Sequence, residues 1–428
     1  MHVTSSDSDY YRLRTEWLRF KSQLFDGLTG LAALPAVIDS VRRLAETRGA
    51  LDVFYLDLGR SGWYEAKLGW SAFDDGVREF ARLLLSLRGD VIGGDDVVCL
   101  YTVRSDRFLV FQPGQEGEAA LSERRERLLH AVRRRLALAP AQSALHALRV
   151  WVGAARMREA PMIRSERAIH QAVGDAILMA LAQRESADAA RLDELHRLIV
   201  ERRLTSAFHP IVRLADGTPL GHEALTRPGG GLAFGSVEDL FAFAESTEYL
   251  LEFERLCRHT AIRSARAVEP LGLLFLNASP RAVEDPDWSD GGMDRLLREH
   301  GLTPGDVVVE ITERTAVGRL DAFQAALKGF KSRGYRVAVD DMGAGYATLQ
   351  SLAAVEPDFL KFDTSLVRDI DQSSIKRGLL ESLRTLAQKI RAQVIAEGVE
   401  REEERRTLIE LGIELGQGYL FHPAGRPR

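Results

Sequence analysis

The chain has 428 residues, of which 45% are apolar and 28% charged, with a formal net charge of −5. This composition is typical of globular proteins with a sizeable core, and the length predicts roughly two to three domains. The acidic balance provides no basic surface, so nucleic-acid binding is not expected. The sequence lacks a signal-peptide pattern and the ~18-residue apolar run of a membrane span, so we expect a cytoplasmic protein with no membrane span.

The first elements of the chain give little functional information. Residues 5–24 predict one short N-terminal amphipathic helix, for which a dimer contact is one use. The two cysteines, Cys99 and Cys257, are too few for a disulfide framework and do not have metal-ligand spacing. A reducing compartment is therefore expected.

Three segments of the N-terminal half match successive motifs of one family. They are "FDGLTGLAALPAVID" (25–39), "LDVFYLDLGR" (51–60) and "LRVWVGAAR" (148–156). On these motifs, residues 25–158 resemble a GGDEF domain, the α/β nucleotidyl-cyclase-like fold that makes cyclic di-GMP. The resemblance implies that "LDVFYLDLGR" is the strand bearing metal ligands in active members.

The signature turn of that family is altered here. It aligns with "RSDRF" (104–108), where Arg104 and Ser105 replace the paired glycines that let a backbone approach a phosphate. Arg107 replaces the acidic metal ligand. The segment "GGDDV" (93–97) resembles the signature in letters but lies too early, because the signature hairpin precedes "FLVF".

The other active-site positions of that family are also incomplete. Asp57 remains, but Gly59 stands at the second acidic position and Glu65 at the guanine-reading asparagine. No Arg-x-x-Asp inhibitory motif precedes the signature. We therefore expect a degenerate domain without diguanylate cyclase activity, in a regulatory or dimerisation role, and the lost phosphate turn argues against GTP binding.

A charged, alanine-rich, proline-free segment follows, with apolar residues at helical spacing. It predicts a helical linker over residues 159–194, formed of one or two helices. The C-terminal domain then occupies residues 195–428.

Eight β-like segments alternate with mostly helical sequence in the C-terminal half. They are 208–214, 221–227, 272–278, 306–312, 336–341, 359–363, 393–399 and 416–422. Continuous apolar runs separated by helices predict a parallel (β/α)8 TIM barrel. Only "ADGTPL" separates the first two strands, and a parallel crossover needs about a dozen residues or more. The turn dipeptide Asp216-Gly217 therefore predicts a modified barrel whose first strand is antiparallel to the second.

Polar residues follow the carboxyl ends of these strands, where barrel enzymes place their active sites. They are Glu223, Asn277, Glu310, Asp340, Asp341, Lys361, Glu397 and Gln417. Clustered carboxylates raise one another's pKa, and oxygen ligands without a His or Cys cluster suit Mg²⁺ or Mn²⁺. The adjacent Asp340 and Asp341 predict a two-metal site of the kind that hydrolyses phosphate esters.

Simpler interpretations remain open for each residue taken alone. A single glutamate at a strand end is often a cap or a salt-bridge partner. Lys361 would also serve as a gatekeeper on an edge strand, and Asn277 as a turn residue. Only the joint arrangement favours a site.

The same segments resemble the EAL family of cyclic di-GMP phosphodiesterases across about residues 195–423. The matching motifs are "FHPIV", "GHEALTR", "LFLNAS", "VVEITER", "VAVDDMGAGYATLQSL", "DFLKFDTSLV", "VIAEGVE" and "LGQGYLF". The resemblance implies hydrolysis of cyclic di-GMP to pGpG by a divalent metal pair. It further implies a homodimer, and a non-catalytic receptor that signals through a regulatory protein partner is the alternative.

The resemblance also implies a role for each matched residue. The implied metal ligands are Glu223, Asn277, Glu310, Asp340, Asp341 and Glu397. Lys361, Glu397 and Asp341 would be catalytic, with Lys361 beside the attacking water. Arg227 would contact a substrate phosphate, Gln417 would complete the floor of the site, and Glu313 would brace the loop after Asp341.

Several positions depart from the family pattern. Met342, Ala344, Ala347 and Thr348 occupy variable places in the loop after Asp341, which the resemblance links to dimerisation and metal affinity. His209 stands where glutamine is usual. The segment "PGGGLAFGS" after Arg227 is short, and its glycines are compatible with a mobile loop.

Overall fold

The computed structural model describes residues 24–59, 70–103, 105–115, 117–140, 143–158, 163–229, 233–312, 320–342 and 356–421. The chain divides into two units, Met1–Ala189 and Ala190–Arg428. The predicted N-terminal helix over 5–24 lies almost wholly outside the described residues. Within these ranges, no helix combines the length and apolarity required to cross a bilayer.

The N-terminal unit is built on a four-stranded antiparallel sheet in the order β2-β3-β1-β4. Its strands are β1 (Ala50–Asp57), β2 (Val97–Leu100), β3 (Arg107–Pro113) and β4 (Trp151–Arg158). Its helices are α1 (Leu34–Arg48), α2 (Trp70–Ser86), α3 (Glu118–Ala137) and a short 3-10 turn, Ala144–Ala147.

Successive side chains of β1 point to opposite faces of this sheet, and each face packs against helices. Phe54 belongs to a core that includes Phe80 of α2. Tyr55 packs on the opposite face with Val41 of α1 and Ile169 of the following helix. That helix, α4 (Ser165–Glu201), is one continuous element of 37 residues.

The hairpin between β2 and β3 contains residues 105–108 of "RSDRF", as predicted, and Arg104 lies outside the described residues. The "GGDDV" segment instead leads into β2, whose first residue is Val97. There the Gly93 N–H donates to Asp96 at 2.6 Å, and Gln112 also donates to the Asp96 carboxylate. Asp96 is 7% exposed. This segment is therefore a structural loop and not the signature turn.

The C-terminal unit is a closed eight-stranded barrel. Its strands in order are β5 (Leu204–Arg213), β6 (Pro219–Pro228), β7 (Leu273–Asn277), β8 (Val307–Thr312), β9 (Arg336–Met342), β10 (Phe359–Phe362), β11 (Gln393–Ala396) and β12 (Leu415–Gly416). β5 is antiparallel to both β6 and β12, and the other neighbouring pairs are parallel. The predicted modified (β/α)8 barrel is confirmed.

The turn that reverses the chain between β5 and β6 uses the predicted dipeptide. Asp216 accepts the Thr218 N–H at 2.9 Å, and Gly217 has φ +75°, which glycine adopts without strain. The Gly217 N–H donates to the Arg213 carbonyl at 2.8 Å. Local turn chemistry therefore fixes the antiparallel start of the barrel.

Helices surround the barrel. They are α5 (Val237–Glu245), α6 (Leu250–Ala265), α7 (Pro286–Ser289), α8 (Gly292–Glu299), α9 (Leu320–Ser332), α10 (Thr364–Val367), α11 (Ser374–Lys389) and α12 (Glu402–Glu410). Among the described residues of this unit, 3-10 turns cover Pro280–Glu284, Pro304–Asp306 and Ile370–Gln372.

The strand prediction for 416–422 was wrong. β12 contains only Leu415–Gly416, and the chain then turns, with the Leu420 N–H donating to the Val399 carbonyl at 3.1 Å. Leu420 and Phe421 pack onto the core from this turn, which explains their apolar character. The prediction for 393–399 was too long, because β11 ends at Ala396 and Gly398 has φ +69°.

A buried ion pair ties α6 to the segment before α7. Asp285 is fully buried and accepts hydrogen bonds from Arg255 and Arg258, each at 2.5 Å. Burial alone would raise the pKa of Asp285, but these guanidinium groups hold it below its usual value. Its stabilising effect is therefore complete at neutral pH and is lost as the pH falls through this lowered pKa.

We predict that Asp285→Asn lowers the free energy of unfolding of the barrel unit by about 3 kcal/mol at neutral pH, because it leaves Arg258 buried without its main partner. Calorimetric thermal unfolding measures the change, with Asp290→Asn, an exposed carboxylate in the same segment, as the control. The difference from wild type should shrink at acidic pH. Equal stability of Asp285→Asn and wild type at neutral pH would contradict this role.

Candidate active site

The barrel interior has an apolar layer with a polar layer above it. The apolar layer consists of Ile211, Phe275, Val308, Ala338, Phe359, Ile395 and Leu415. Six polar residues each lie two positions after a residue of the apolar layer in the sequence. They are Asn277, Glu310, Asp340, Lys361, Glu397 and Gln417. Because side chains alternate along a strand, residues two apart share a face, so the polar layer lies toward the carboxyl ends of the strands.

Lys361 lies at the centre of the polar layer. Its Nζ is 2.8 Å from Glu397 Oε1, 3.0 Å from Glu310 Oε1, 3.3 Å from Glu223 Oε2 and 3.5 Å from Asp340 Oδ1. The Lys361 side chain is 1% exposed, and β10 pairs with β9 and β11 on its two sides. The edge-strand interpretation of Lys361 was therefore wrong.

Two amides hold Glu223 in place. Asn277 Nδ2 donates to Glu223 Oε1 at 3.0 Å, and Gln417 Nε2 donates to Glu223 Oε2 at 2.8 Å. Asn277 is the last residue of β7, which excludes the simple turn interpretation. Its contact with Glu223 uses the amide nitrogen, so it does not consume the oxygen that would bind a metal.

His209 also belongs to the polar layer. It pairs with Glu223 across the antiparallel β5–β6 ladder, and its Nδ1 lies 2.8 Å from Gln417 Nε2. The sequence identified His209 only as a departure from a family pattern. Its spacing of two residues from the buried Ile211 was the signal for an interior position.

The raised pKa values of Glu310 and Glu397 indicate that one ammonium does not balance the four carboxylates around it, of which three are buried and Glu397 is half-buried. Burial raises the pKa of Glu310 well above its usual value, against the attraction of Lys361, and burial raises that of Glu397 to about 8. Burial also opposes the charged form of Glu223, but Lys361 and the two amides lower its pKa. Burial would lower the pKa of Lys361, yet the surrounding carboxylates raise it well above its usual value. The cluster therefore binds protons near neutral pH that additional cations would displace.

The two adjacent aspartates occupy an irregularity between β9 and β10. Val339 pairs with Leu360 and Met342 pairs with Phe362, so two residues of β9, Asp340 and Asp341, face one residue of β10. Extra residues of this kind interrupt side-chain alternation and occur next to active sites. The irregular register therefore explains how two consecutive carboxylates occur at this level of the barrel.

The residues of the polar layer fit a divalent cation. Glu310 Oε2 and Gln417 Oε1 are buried and accept no hydrogen bond from any described residue. Buried oxygens without donors are unfavourable unless a cation or a proton satisfies them. The surrounding ligands are carboxylate and amide oxygens, the set that Mg²⁺ and Mn²⁺ prefer.

Not every predicted residue is part of this cluster. Arg227, near the end of β6, is exposed and donates to its neighbour's carbonyl, Thr226 O, at 3.1 Å. Met342 is buried at the end of β9. The Asp341 side chain, Glu313 and the loop residues Ala344, Ala347 and Thr348 lie outside the described residues.

The segment after Arg227 is anchored where the structure describes it. The Arg191 guanidinium lies 4.8 Å from the Phe234 ring centroid and 4.2 Å from that of Phe243. Arg191 also donates to Asp239 Oδ1 at 2.8 Å. Residues 233–236 are thus fixed by the end of α4, a contact that glycine content does not reveal.

A second acidic group on the barrel unit has a different character. Asp369, Asp371 and Glu404 offer oxygens within 4.8 Å of one another. Arg401 forms ion pairs with all three, and Glu404 accepts backbone N–H groups, including that of Asp369 at 2.9 Å. This group is an ion-pair network around Arg401, in which Asp369 is exposed and Glu404 is buried.

Asp57, which the resemblance places on a metal-binding strand of the N-terminal unit, has contacts within the chain. Asp57, 3% exposed, accepts the Tyr55 hydroxyl at 3.1 Å and the Gly59 N–H at 2.7 Å. Its two oxygens are therefore both engaged by the chain itself. Arg107 adds a cation at the start of β3, where the resembled family has an acid.

We predict that Lys361→Met lowers the unfolding free energy by about 3 kcal/mol at about pH 8 and by less at about pH 5. Without the ammonium, the carboxylates have pKa values above those of the unfolded chain, so stability falls as the pH rises through that range. Thermal unfolding in chelator-treated buffer measures this, with the exposed Lys328→Met as control. A loss that does not vary with pH would contradict the proposed charge balance.

Comparison with known proteins supplies the family. The family model described as "EAL domain" matches residues 192–424. An uncharacterized protein of Mycobacterium tuberculosis is 28% identical over 418 residues, 92% of this chain and 65% of that protein. The bifunctional diguanylate cyclase/cyclic di-GMP phosphodiesterase MucR of Pseudomonas aeruginosa is 28% identical over 243 residues, 55% of this chain and 35% of that protein.

A solved structure supports the fold. The Xanthomonas citri FimX EAL domain, in complex with c-diGMP, matches with a TM-score of 0.51 and 20% identity, covering 58% of this chain and 97% of that chain. At this identity the likeness concerns the barrel fold. The present chain spans about 65% of the length of the mycobacterial relative.

Proposed function

Since the chain belongs to the EAL domain family, we propose that it is a metal-dependent phosphodiesterase that hydrolyses cyclic di-GMP to pGpG. The observation that carries the proposal is the cluster of buried oxygen ligands around Lys361. A relative named as a cyclic di-GMP phosphodiesterase, MucR, supports the choice of substrate. One P–O bond of the cyclic substrate is broken by water, which leaves a linear product with one terminal phosphate and one free 3′-hydroxyl.

Two Mg²⁺ or Mn²⁺ ions are proposed to bind at the carboxyl ends of the strands. Glu223, Asn277, Glu310 and Asp340 would hold one ion, Asp340 with Asp341 the second, and Glu397 would support the centre formed by the metals and the water. Divalent cations at such a site lower the pKa of water and stabilise the attacking and leaving oxygens.

Lys361 is proposed to stabilise negative charge near the attacking water. Because its pKa is raised well above the usual value, it stays protonated at neutral pH and donates hydrogen bonds. A carboxylate must then accept the proton of the water. Glu397, 2.8 Å from Lys361, and Asp341 are the proposed acceptors.

The substrate phosphates are proposed to lie between the polar layer and the end of β6. Arg227, four residues beyond Glu223 on the same strand, presents a fork of donors suited to a phosphate. Gln417 would contribute to the floor of this site. Glu313 would brace the loop after Asp341.

The N-terminal unit is proposed to be a degenerate GGDEF-like domain with a regulatory or dimerisation role. Its antiparallel sheet, the hairpin at "RSDRF" and the engaged Asp57 support this assignment. A homodimer and a regulatory protein partner remain proposals that follow from the resemblance.

We predict that the wild-type protein with Mn²⁺ converts cyclic di-GMP to pGpG and that Glu223→Ala lowers the rate at least about 100-fold. Glu223 contacts Lys361, Asn277 and Gln417. Its loss would remove one proposed metal ligand and the contacts that orient these three side chains. Chromatographic separation of the products measures the rate, and the exposed Glu248→Ala serves as control.

The same experiment separates the enzyme from a receptor. Cyclic di-GMP binding by calorimetry without any pGpG in the wild type would contradict the phosphodiesterase. It would instead support a non-catalytic receptor, and the altered loop after Asp341 would be its basis.

We predict no cyclic di-GMP from GTP with Mg²⁺ or Mn²⁺, for the full chain and for Glu223→Ala, in which product would not be degraded. The Asp57 carboxylate is engaged by Tyr55 and Gly59, and Arg107 repels a cation. Mass spectrometry of the reaction measures this. Accumulation of cyclic di-GMP in the Glu223→Ala variant would show that the N-terminal unit is an active cyclase.

A further inference from the structure

An additional acid lies behind the polar layer, on helix α6. Glu254 is 4% exposed and does not contact Lys361. Its Oε1 accepts the backbone N–H of Ser279 at 2.8 Å. Burial of a glutamate is unfavourable unless it is hydrogen-bonded, so this contact favours a fixed position for both groups.

The segment held by Glu254 is the exit of β7. Asn277 ends that strand, and the next N–H, of Ala278, donates to the Glu310 carbonyl of β8 at 2.9 Å. The N–H of Ser279 donates to Glu254. Residue 280 is proline, which has no N–H, so the Ala278 and Ser279 groups are the only two main-chain donors between Asn277 and Arg281.

These two hydrogen bonds point to different elements. Ala278 is bonded to the barrel wall and Ser279 to the surrounding helix, so the peptide after Asn277 is restrained from both sides. Without the Glu254 contact, the chain beyond Ala278 would lose its outer restraint. The side chain of Asn277, at the last position of the strand, depends on this backbone for its direction.

The position of Glu254 is itself fixed. Arg258, one helical turn later, lies 4.0 Å from Glu254 Oε2 and is bonded to Asp285 at 2.5 Å. The anchor therefore extends from the α7 segment through α6 to the end of β7.

We propose that Glu254 is a positioning residue for the metal site: it fixes the Ser279 peptide and thereby orients Asn277 toward Glu223 and the cation. The inference rests on the proposed function, because it assigns Asn277 as a metal ligand. Outer groups that orient metal ligands typically contribute about 10- to 100-fold in metal affinity.

The test measures Mn²⁺ affinity directly, by the electron paramagnetic resonance signal of free Mn²⁺ titrated with the full-length protein. Glu254→Leu removes the acceptor and should weaken Mn²⁺ binding at least about tenfold. Glu254→Gln keeps an acceptor oxygen of the same reach and should bind Mn²⁺ within about twofold of wild type. Both variants remove the charge beside Arg258, so their stabilities should fall alike while their affinities differ.

A second variant removes the donor and leaves Glu254 unchanged. Ser279 has φ −76°, which proline adopts, so Ser279→Pro deletes the N–H with little backbone strain. It should weaken Mn²⁺ binding as much as Glu254→Leu. In an Asn277→Ala background, neither change should weaken binding further, because the oriented ligand is already absent.

Mn²⁺ affinity that is unchanged in both Glu254→Leu and Ser279→Pro would overturn the positioning role. Equal weakening by Glu254→Gln and Glu254→Leu would also overturn it, since charge and not the hydrogen bond would then matter. Intact Mn²⁺ binding by wild type with no pGpG formed would overturn the proposed function and leave the role of Glu254 standing.

Discussion

The ammonium group of Lys361 lies within 3.5 Å of four carboxylates in the interior of a closed barrel. Buried charges of one sign are unfavourable unless opposite charge accompanies them, and a single lysine offsets only part of this repulsion. The remaining imbalance appears as raised pKa values at Glu310 and Glu397. The proposed divalent cations would supply the missing positive charge, and such ions stabilise the attacking and leaving oxygens in phosphodiester hydrolysis.

The barrel produces this site through strand register. An apolar layer fills the interior, and the polar residues follow two positions later, where alternation returns each side chain to the same face. The extra residue opposite Lys361 gives β9 two consecutive aspartates at that level. In the N-terminal unit, Asp57 accepts hydrogen bonds from the Tyr55 hydroxyl and the Gly59 N–H, and the cation Arg107 begins β3.

Sequence reasoning succeeded where local chemistry determines structure. Asp216-Gly217 indicated the antiparallel first strand, and the residues after each apolar run indicated the polar layer. It failed for the turn after β12, because Leu420 and Phe421 pack onto the core from a turn and do not extend the strand. It could not identify Glu254, which lies on a helix and reaches the site only through the backbone N–H of Ser279. The central position of Lys361 also required the closed barrel, since its partners come from four other strands or strand ends.

The most direct test of the central claim is anomalous diffraction at the manganese edge from crystals of the wild-type protein grown with Mn²⁺. We expect manganese bound by Glu223, Asn277, Glu310 and Asp340, at the carboxyl ends of the barrel strands. Manganese absent from this cluster, or found only at the group of Asp369, Asp371 and Glu404, would contradict the claim.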